Sequence, residues 1–403
     1  MVATPGTSPT LGNDPTPGHD GRGIVLPPYP HDRLDTLRPV AAAVPGGLID
    51  VSVGTPVDPM PEIVVQALAA AAAAAGATGY PATIGSALYR EAAAYWIERR
   101  FGCVVTAAEV CAVVGTKELV ASLPRALSLR NPTRDTVLYP AASYPTYAMG
   151  AVLAGLRAVP VPVDDAWHLD LAQVSEDDAS RALLLWCNDP SNPTGAVASP
   201  EELVAQVEWA RARGIVVASD ECYAEFTYDE HGGAAAPVTA LLAGTDGVLA
   251  VHSLSKRSNM AGLRAGFIAG DGDLVAFLGE LRKHAGLMSP APVQAAAAAA
   301  LGDDEHVVEQ QLRYARRRKV ALPAFEACGL VHDGGDSAFY LWLRDRTAVS
   351  EGGRDGWAIA ADLAARGLIV APGDFYGDAG GGHVRIALTI SDADLDLVVS
   401  RLS

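Results

Sequence analysis

Between residues 110 and 269 the chain alternates short runs that are apolar throughout with longer segments of helical pattern, and few folds accept that order. Strands are predicted over 110–114, 136–139, 157–161, 182–186, 215–219, 248–251 and 265–269. Helices are predicted between several of them, over 116–129, 144–154 and 200–213. A strand without polar alternation is covered on both faces, so these strands form a mostly parallel sheet sandwiched by helices, an α/β architecture. Ligands of such sheets bind beyond the carboxyl ends of the strands. The residues that follow each strand are therefore the first candidates for chemistry.

The flanking regions read differently. Residues 1–25 are rich in Pro, Gly, Thr and Asp and are expected to be a disordered tail. Residues 26–53 form an N-terminal segment that joins a small domain, 54–286 the large domain, and 287–403 a smaller α+β domain. A helix over 86–101 carries Leu88, Ala92, Tyr95 and Trp96 at helical spacing, which are expected to be core. The alanine-rich stretches 67–75 and 295–301 read as buried helices too short to span a bilayer. A long helix over 305–327 carries Arg313, Arg316, Arg317 and Arg318, expected to be a solvated face.

A formal net charge of −17 disfavours nucleic acid or an anionic membrane as a partner. The five cysteines are odd in number and contain no C-x-x-C, so neither a disulfide framework nor a structural metal site is expected. A reducing cytoplasm suits them, and no basic-then-apolar leader precedes them.

The loop between the last two predicted strands reads His252-Ser253-Leu254-Ser255-Lys256, with Arg264 following Gly262. One lysine among small hydroxyls, with a second cation nearby, suits a phosphorylated aldehyde. Lysine forms a Schiff base with the aldehyde; hydroxyls and arginine hold the phosphate. Only three other lysines exist, Lys117, Lys283 and Lys319. Asp220 ends an apolar strand, so it is expected to be buried and to need a cation such as a protonated pyridine nitrogen. Tyr223 can donate to a ring oxygen, and Asn192 stands in a proline-locked loop. Gly115-Thr116-Lys117 opens a helix, whose free N–H groups attract an anion. Tyr144 follows a strand and can stack on a flat ring. Singly these read as a cap, a turn residue and packing; together, at successive strand ends, they outline a site.

In their order the motifs resemble those of the fold type I pyridoxal-phosphate (PLP) aminotransferases, of the aspartate aminotransferase kind. They are S-N-P-T-G from Ser191, D-E-C-Y from Asp220, S-x-S-K ending at Lys256 and G-x-R ending at Arg264. The resemblance implies that pyridoxal 5'-phosphate is bound through Lys256, with Asp220 on the pyridine nitrogen and Tyr223 and Asn192 on the ring oxygen. It implies Tyr144 against the ring, and Thr116, Lys117 (by backbone), Ser253, Ser255 and Arg264 on the phosphate. Tyr80 matches a tyrosine that reaches the neighbouring subunit's phosphate, implying a homodimer with shared sites. Arg385 matches the arginine that grips the substrate α-carboxylate, and Gly54 a glycine lying over the substrate. The partners implied are a small amino acid and a 2-oxo acid.

Several stretches, among them Ser52 to Pro59 and Ala371 to Gly377, are similar to actinobacterial N-succinyldiaminopimelate aminotransferases. That likeness implies N-succinyl-LL-2,6-diaminopimelate and 2-oxoglutarate, with Lys283 and His284 as candidates for the distal carboxylate. Ala224-Glu225-Phe226-Thr227 departs from it, where a glycine- and leucine-containing segment is expected. The same machinery would serve an aminotransferase of another amino-acid or secondary-metabolite pathway, or a PLP-dependent C–S β-lyase.

Overall fold

The protein is described from a computed structural model, over residues 18–19, 24–74, 78–229 and 232–403. Its central sheet contains β1 (Val110–Val113), β2 (Thr136–Pro140), β3 (Arg157–Val161), β4 (Ala182–Asn188), β5 (Val216–Asp220), β6 (Val248–Ser253) and β7 (Gly266–Gly270). They lie in the order β1-β7-β6-β5-β4-β2-β3. Strands β2 to β6 run parallel to one another, whereas β7 is antiparallel to both β1 and β6. The reason is the connection. A parallel return needs a long crossover, usually a helix. Only the four-residue helix Leu254–Arg257 and a 3-10 turn fill the β6–β7 link.

Helices Thr116–Arg130, Thr146–Leu153 and Pro200–Arg211 lie in three of the other links, Glu176–Arg181 in that from β3 to β4, and a long link with two 3-10 segments joins β5 to β6. Helix Pro200–Arg211 starts at a capping box in which Ser199 and Glu202 satisfy each other's backbone N–H groups. The chain runs outward from β2 to β3 and then returns to the other side of β2 for β4, β5 and β6. The carboxyl ends of β2 and β4 therefore bound a crevice at the switch point.

A second, antiparallel sheet orders Leu330–His332, Tyr340–Asp345, His383–Ala387 and Ala371–Pro372. Ile49–Asp50 pairs in parallel with Leu368–Ile369, so the segment before Gly54 returns to this C-terminal layer. Among the described residues, no helix is long and apolar enough to cross a membrane.

Some expectations need correction. Most of residues 1–25 lies outside the described residues; within it, Gly18–His19 and Ile24–Val25 pair as a short antiparallel ladder. In helix Ala87–Phe101 the buried stripe is Tyr89, Ala93, Trp96 and Ile97, while Leu88 and Tyr95 are exposed. Both stripes have helical spacing; the Tyr89 hydroxyl, donating to the Gly266 carbonyl at 3.0 Å, fixes which one faces the sheet. Helix Ala291–Leu301 is buried as expected, but Glu62–Ala73 packs against it and leaves most of its own surface in solvent.

The arginine-rich helix Glu305–Ala327 is not uniformly solvated. Arg317 is 2% exposed and grips both oxygens of Asp58 at 2.8 Å, with Asp392 also at 2.8 Å. Arg318 donates to the Tyr340 carbonyl at 2.6 Å, and Arg316 stays exposed. A guanidinium tolerates burial when carboxylates pair with it, so a run of arginines need not be a wet face.

Candidate active site

Beyond the carboxyl ends of β4, β5 and β6 lies a cavity of about 500 Å³, also lined by the C-terminal layer and by Tyr29 and His31 of the N-terminal segment. Twelve of the predicted residues line it: Gly54, Thr116, Lys117, Tyr144, Asn192, Asp220, Tyr223, Ser253, Ser255, Lys256, Arg264 and Arg385. Tyr80 does not; it is 97% exposed. Lys283 and His284 are exposed and stand outside the cavity wall, with Lys283 paired to Glu280.

Asp220 is carried to the floor by β5. It is 6% exposed, and burial lifts its carboxyl above the usual range. Its donors are the Tyr147 hydroxyl at 2.8 Å and the Cys222 N–H at 3.2 Å. Among the described residues no cation pairs with it. Tyr147 is itself fully buried and stacked on Trp186, with ring centroids 4.9 Å apart.

Lys256 enters from the short helix after β6. Burial first, then the Arg385 cation, brings its amine down to about 8. The amine donates to the Gly54 carbonyl. A side chain at Gly54 would overlap the Tyr340 ring, so glycine is required for this close approach.

A third group surrounds the N-terminus of helix Thr116–Arg130. Gly115 precedes it at φ 74°, and a Cβ there would overlap the Arg264 guanidinium. Glycine thus leaves room for the Arg264 guanidinium beside the helix N-terminus, whose free N–H groups, with Ser253 and Ser255, border the same cavity. The arrangement is an anion cradle. Lys117 points its amine the other way, to the Tyr29 hydroxyl at 3.1 Å.

Arg385 is 4% exposed, with the Tyr340 and Tyr376 rings 4.1 and 4.8 Å from its guanidinium carbon. It donates to the Asn192 side-chain oxygen at 2.6 Å and the Ser52 carbonyl at 2.7 Å, while its Nε has no partner. Among the described residues no acid pairs with it. Tyr223 donates to or accepts from Tyr340 at 2.9 Å.

These residues fit pyridoxal phosphate. A buried acid without a counter-cation, an amine of lowered pKa and an anion cradle border one cavity. Sequence reasoning missed Tyr147, Tyr340, Tyr376 and His31. Tyr147 follows Tyr144 at helical spacing, a signal indistinguishable from packing. Tyr340 lies in a strand that reads as core. No cluster able to hold a metal ion occurs among the described residues.

Residues 47–402 match the profile of the family "Aminotransferase class I and II". A probable aminotransferase of Mycobacterium tuberculosis is 46% identical over 96% of this chain and 88% of its own length. The 4-dedimethylamino-4-oxo-anhydrotetracycline transaminase OxyQ of Streptomyces rimosus is 43% identical over 94% of this chain and 99% of its own. Among solved structures, a probable N-succinyldiaminopimelate aminotransferase from Thermus thermophilus superposes with a TM-score of 0.82 at 30% identity, covering 92% of this chain and 98% of that one.

Proposed function

This chain belongs to the class I and II aminotransferases and depends on pyridoxal 5'-phosphate, and on that premise we propose that it exchanges an amino group between N-succinyl-LL-2,6-diaminopimelate and 2-oxoglutarate. The observation that carries this reading is the distribution of positive charge in the cavity. Arg385 at one wall lacks an acid and suits an α-carboxylate. The Lys117 amine, beside Tyr29 and His31, gives the cavity a second cationic wall for a distal carboxylate. Both proposed amino donors, the succinylated substrate and glutamate, carry such a second acid. Lys117 takes over the role first sought at Lys283 and His284.

The proposed roles are those the family resemblance implies, and the shared cavity supports them. Asp220 would face the pyridine nitrogen and keep it protonated, Tyr223 and Asn192 would bind the ring oxygen, and Tyr144 would lie against the ring. Thr116, Lys117 (through its backbone), Ser253, Ser255 and Arg264 would hold the phosphate. When bound, the cofactor supplies an electron-poor ring that accepts the electron pair freed at the substrate Cα. Lys256 Nζ, its pKa held near 8, is unprotonated often enough near neutral pH to take the α-proton. Arg385 fixes the carboxylate so that the Cα–H bond faces that amine. The exposed Tyr80 supports a homodimer in which it serves the partner's site, and five unpaired cysteines support a cytoplasmic setting.

The likeness to OxyQ favours a second reading, amino transfer to a ketone of a secondary metabolite. Half-reaction spectra with a panel of donors and acceptors decide between them. Conversion by succinylated diaminopimelate and by glutamate supports the first. Conversion by glutamate alone, with a polycyclic ketone as acceptor, supports the second. Pyruvate release from cystathionine without an acceptor would instead mark a C–S β-lyase.

A further inference from the structure

We propose that Glu225 is a positioning residue for Lys256, acting through Arg257. Glu225 belongs to the segment Ala224–Phe226, which follows Tyr223 and is one of the places where the chain departs from the sequence pattern it otherwise resembles. Its side chain is 3% exposed and faces away from the cavity. It accepts from the Trp96 indole at 2.9 Å, from Arg100 at 2.8 and 3.1 Å, and from Arg257 Nε at 3.3 Å. Its backbone carbonyl accepts from Gln311.

Arg257 directly follows Lys256 and is 3% exposed. Beyond Glu225, its guanidinium donates to the Ala300 carbonyl at 2.6 Å, and to the Asp303 carbonyl and the Asp304 carboxylate at 3.1 Å each. The short helix Leu254–Arg257 is a single turn and cannot hold itself rigid. Its fixed point is this guanidinium. With Arg257 pinned on the far side, Lys256 is turned to the cavity. Glu225 thus ties the segment bearing Tyr223 to the segment bearing Lys256, by charge rather than by backbone pairing. A buried cation that loses one of its acids loses part of its anchorage, and the turn that aims Lys256 loses part of its fixed point.

This inference rests on the reading of Lys256 as the proton-moving amine. In the holoenzyme Glu225→Gln, which keeps shape but not charge, is expected to lower kcat about 10-fold or more while KM stays within about 2-fold. In the full-length, cofactor-stripped protein, the pH at which Lys256 becomes reactive toward an amine-directed label, read by peptide mass, is expected to shift by about half a unit or more as the amine changes its surroundings. A double-mutant cycle then separates this role from general support. Once Arg257→Met has removed the mediator, adding Glu225→Gln is expected to change neither quantity further. Losses that multiply in the double variant, or a Glu225→Gln enzyme with unchanged kcat and unchanged lysine reactivity, would overturn the proposal. Should Glu225→Gln not fold, Arg257→Lys keeps the charge without the fork; a several-fold loss of kcat supports the proposal and full activity overturns it. Turnover by Lys256→Ala would sink the underlying reading instead, so the two failures are distinguishable.

Discussion

The ends of β5 and β6 offer two faces built from neighbouring residues. Asp220 and Ser253 face the cavity, while Glu221 and His252 are buried on the opposite side. Successive side chains on a strand alternate in this way. On the far face the two ionisable groups sit against each other, and one Glu221 oxygen is hydrogen-bonded. Glu221 accepts from the Thr239 hydroxyl at 3.0 Å and the Ala240 N–H at 2.9 Å, with His252 Nε2 3.4 Å away. Burial lifts the Glu221 carboxyl to about 8 and lowers His252 to about 3, so at neutral pH this contact joins two uncharged groups rather than an ion pair. On the cavity face Asp220, Lys256 and Arg385 have no counter-charges among the described residues. The same strands bury ionisable groups on both sides; on the far side burial holds them neutral, whereas the cavity side holds cations without acid partners among the described residues. Unpaired charge in a cavity marks function; an ionisable pair neutralised by burial marks architecture.

Substitutions sharpen that contrast. The largest effect is expected at Asp220: Asp220→Ala should reduce kcat by about 10²–10³-fold, measured in single turnovers with saturating cofactor. Next is Arg385→Lys, which keeps the charge but not the planar fork. It should lower kcat/KM for the amino donor by about 10–100-fold, mostly through KM in steady-state assays. Tyr147→Phe removes one hydrogen bond to Asp220 and should cost only several-fold in kcat, roughly 1 kcal/mol. The smallest effect on catalysis is expected at Glu221→Gln, whose consequence lies in stability. Because the folded pKa of Glu221 is raised, the native chain holds a proton that the unfolded chain releases between about pH 4.5 and 8. Its contribution is full below 4.5 and is lost as the pH rises through about 8. Denaturant titrations at pH 5 and pH 8 should show the parent losing more stability between the two than Glu221→Gln does, by about 1 kcal/mol or more. A large activity loss at Glu221, or none at Asp220, would erase the distinction between the faces.

Much of this was legible in the sequence, for physical reasons. Strands buried on both faces announce themselves as uninterrupted apolar runs, and the residues after them fall at the carboxyl edge. Thus Asp220, Asn192 and Lys256 could be placed around one site from their order alone. Periodicity could not choose between the two stripes of helix Ala87–Phe101, because each repeats at helical spacing. Nor could it see Arg317, whose burial depends on Asp58 far away in the chain. Tyr147 and Tyr340 were hidden for a similar reason: an aromatic in an apolar element reads as core until its hydroxyl is seen to reach Asp220 or Tyr223.

The most direct test is chemical. The chain has four lysines, Lys117, Lys256, Lys283 and Lys319. Borohydride reduction of the holoenzyme followed by peptide mass analysis should place a single phosphopyridoxyl group on Lys256. The same group on any of the other three, or on none, would contradict the assignment of the cavity and all that follows from it.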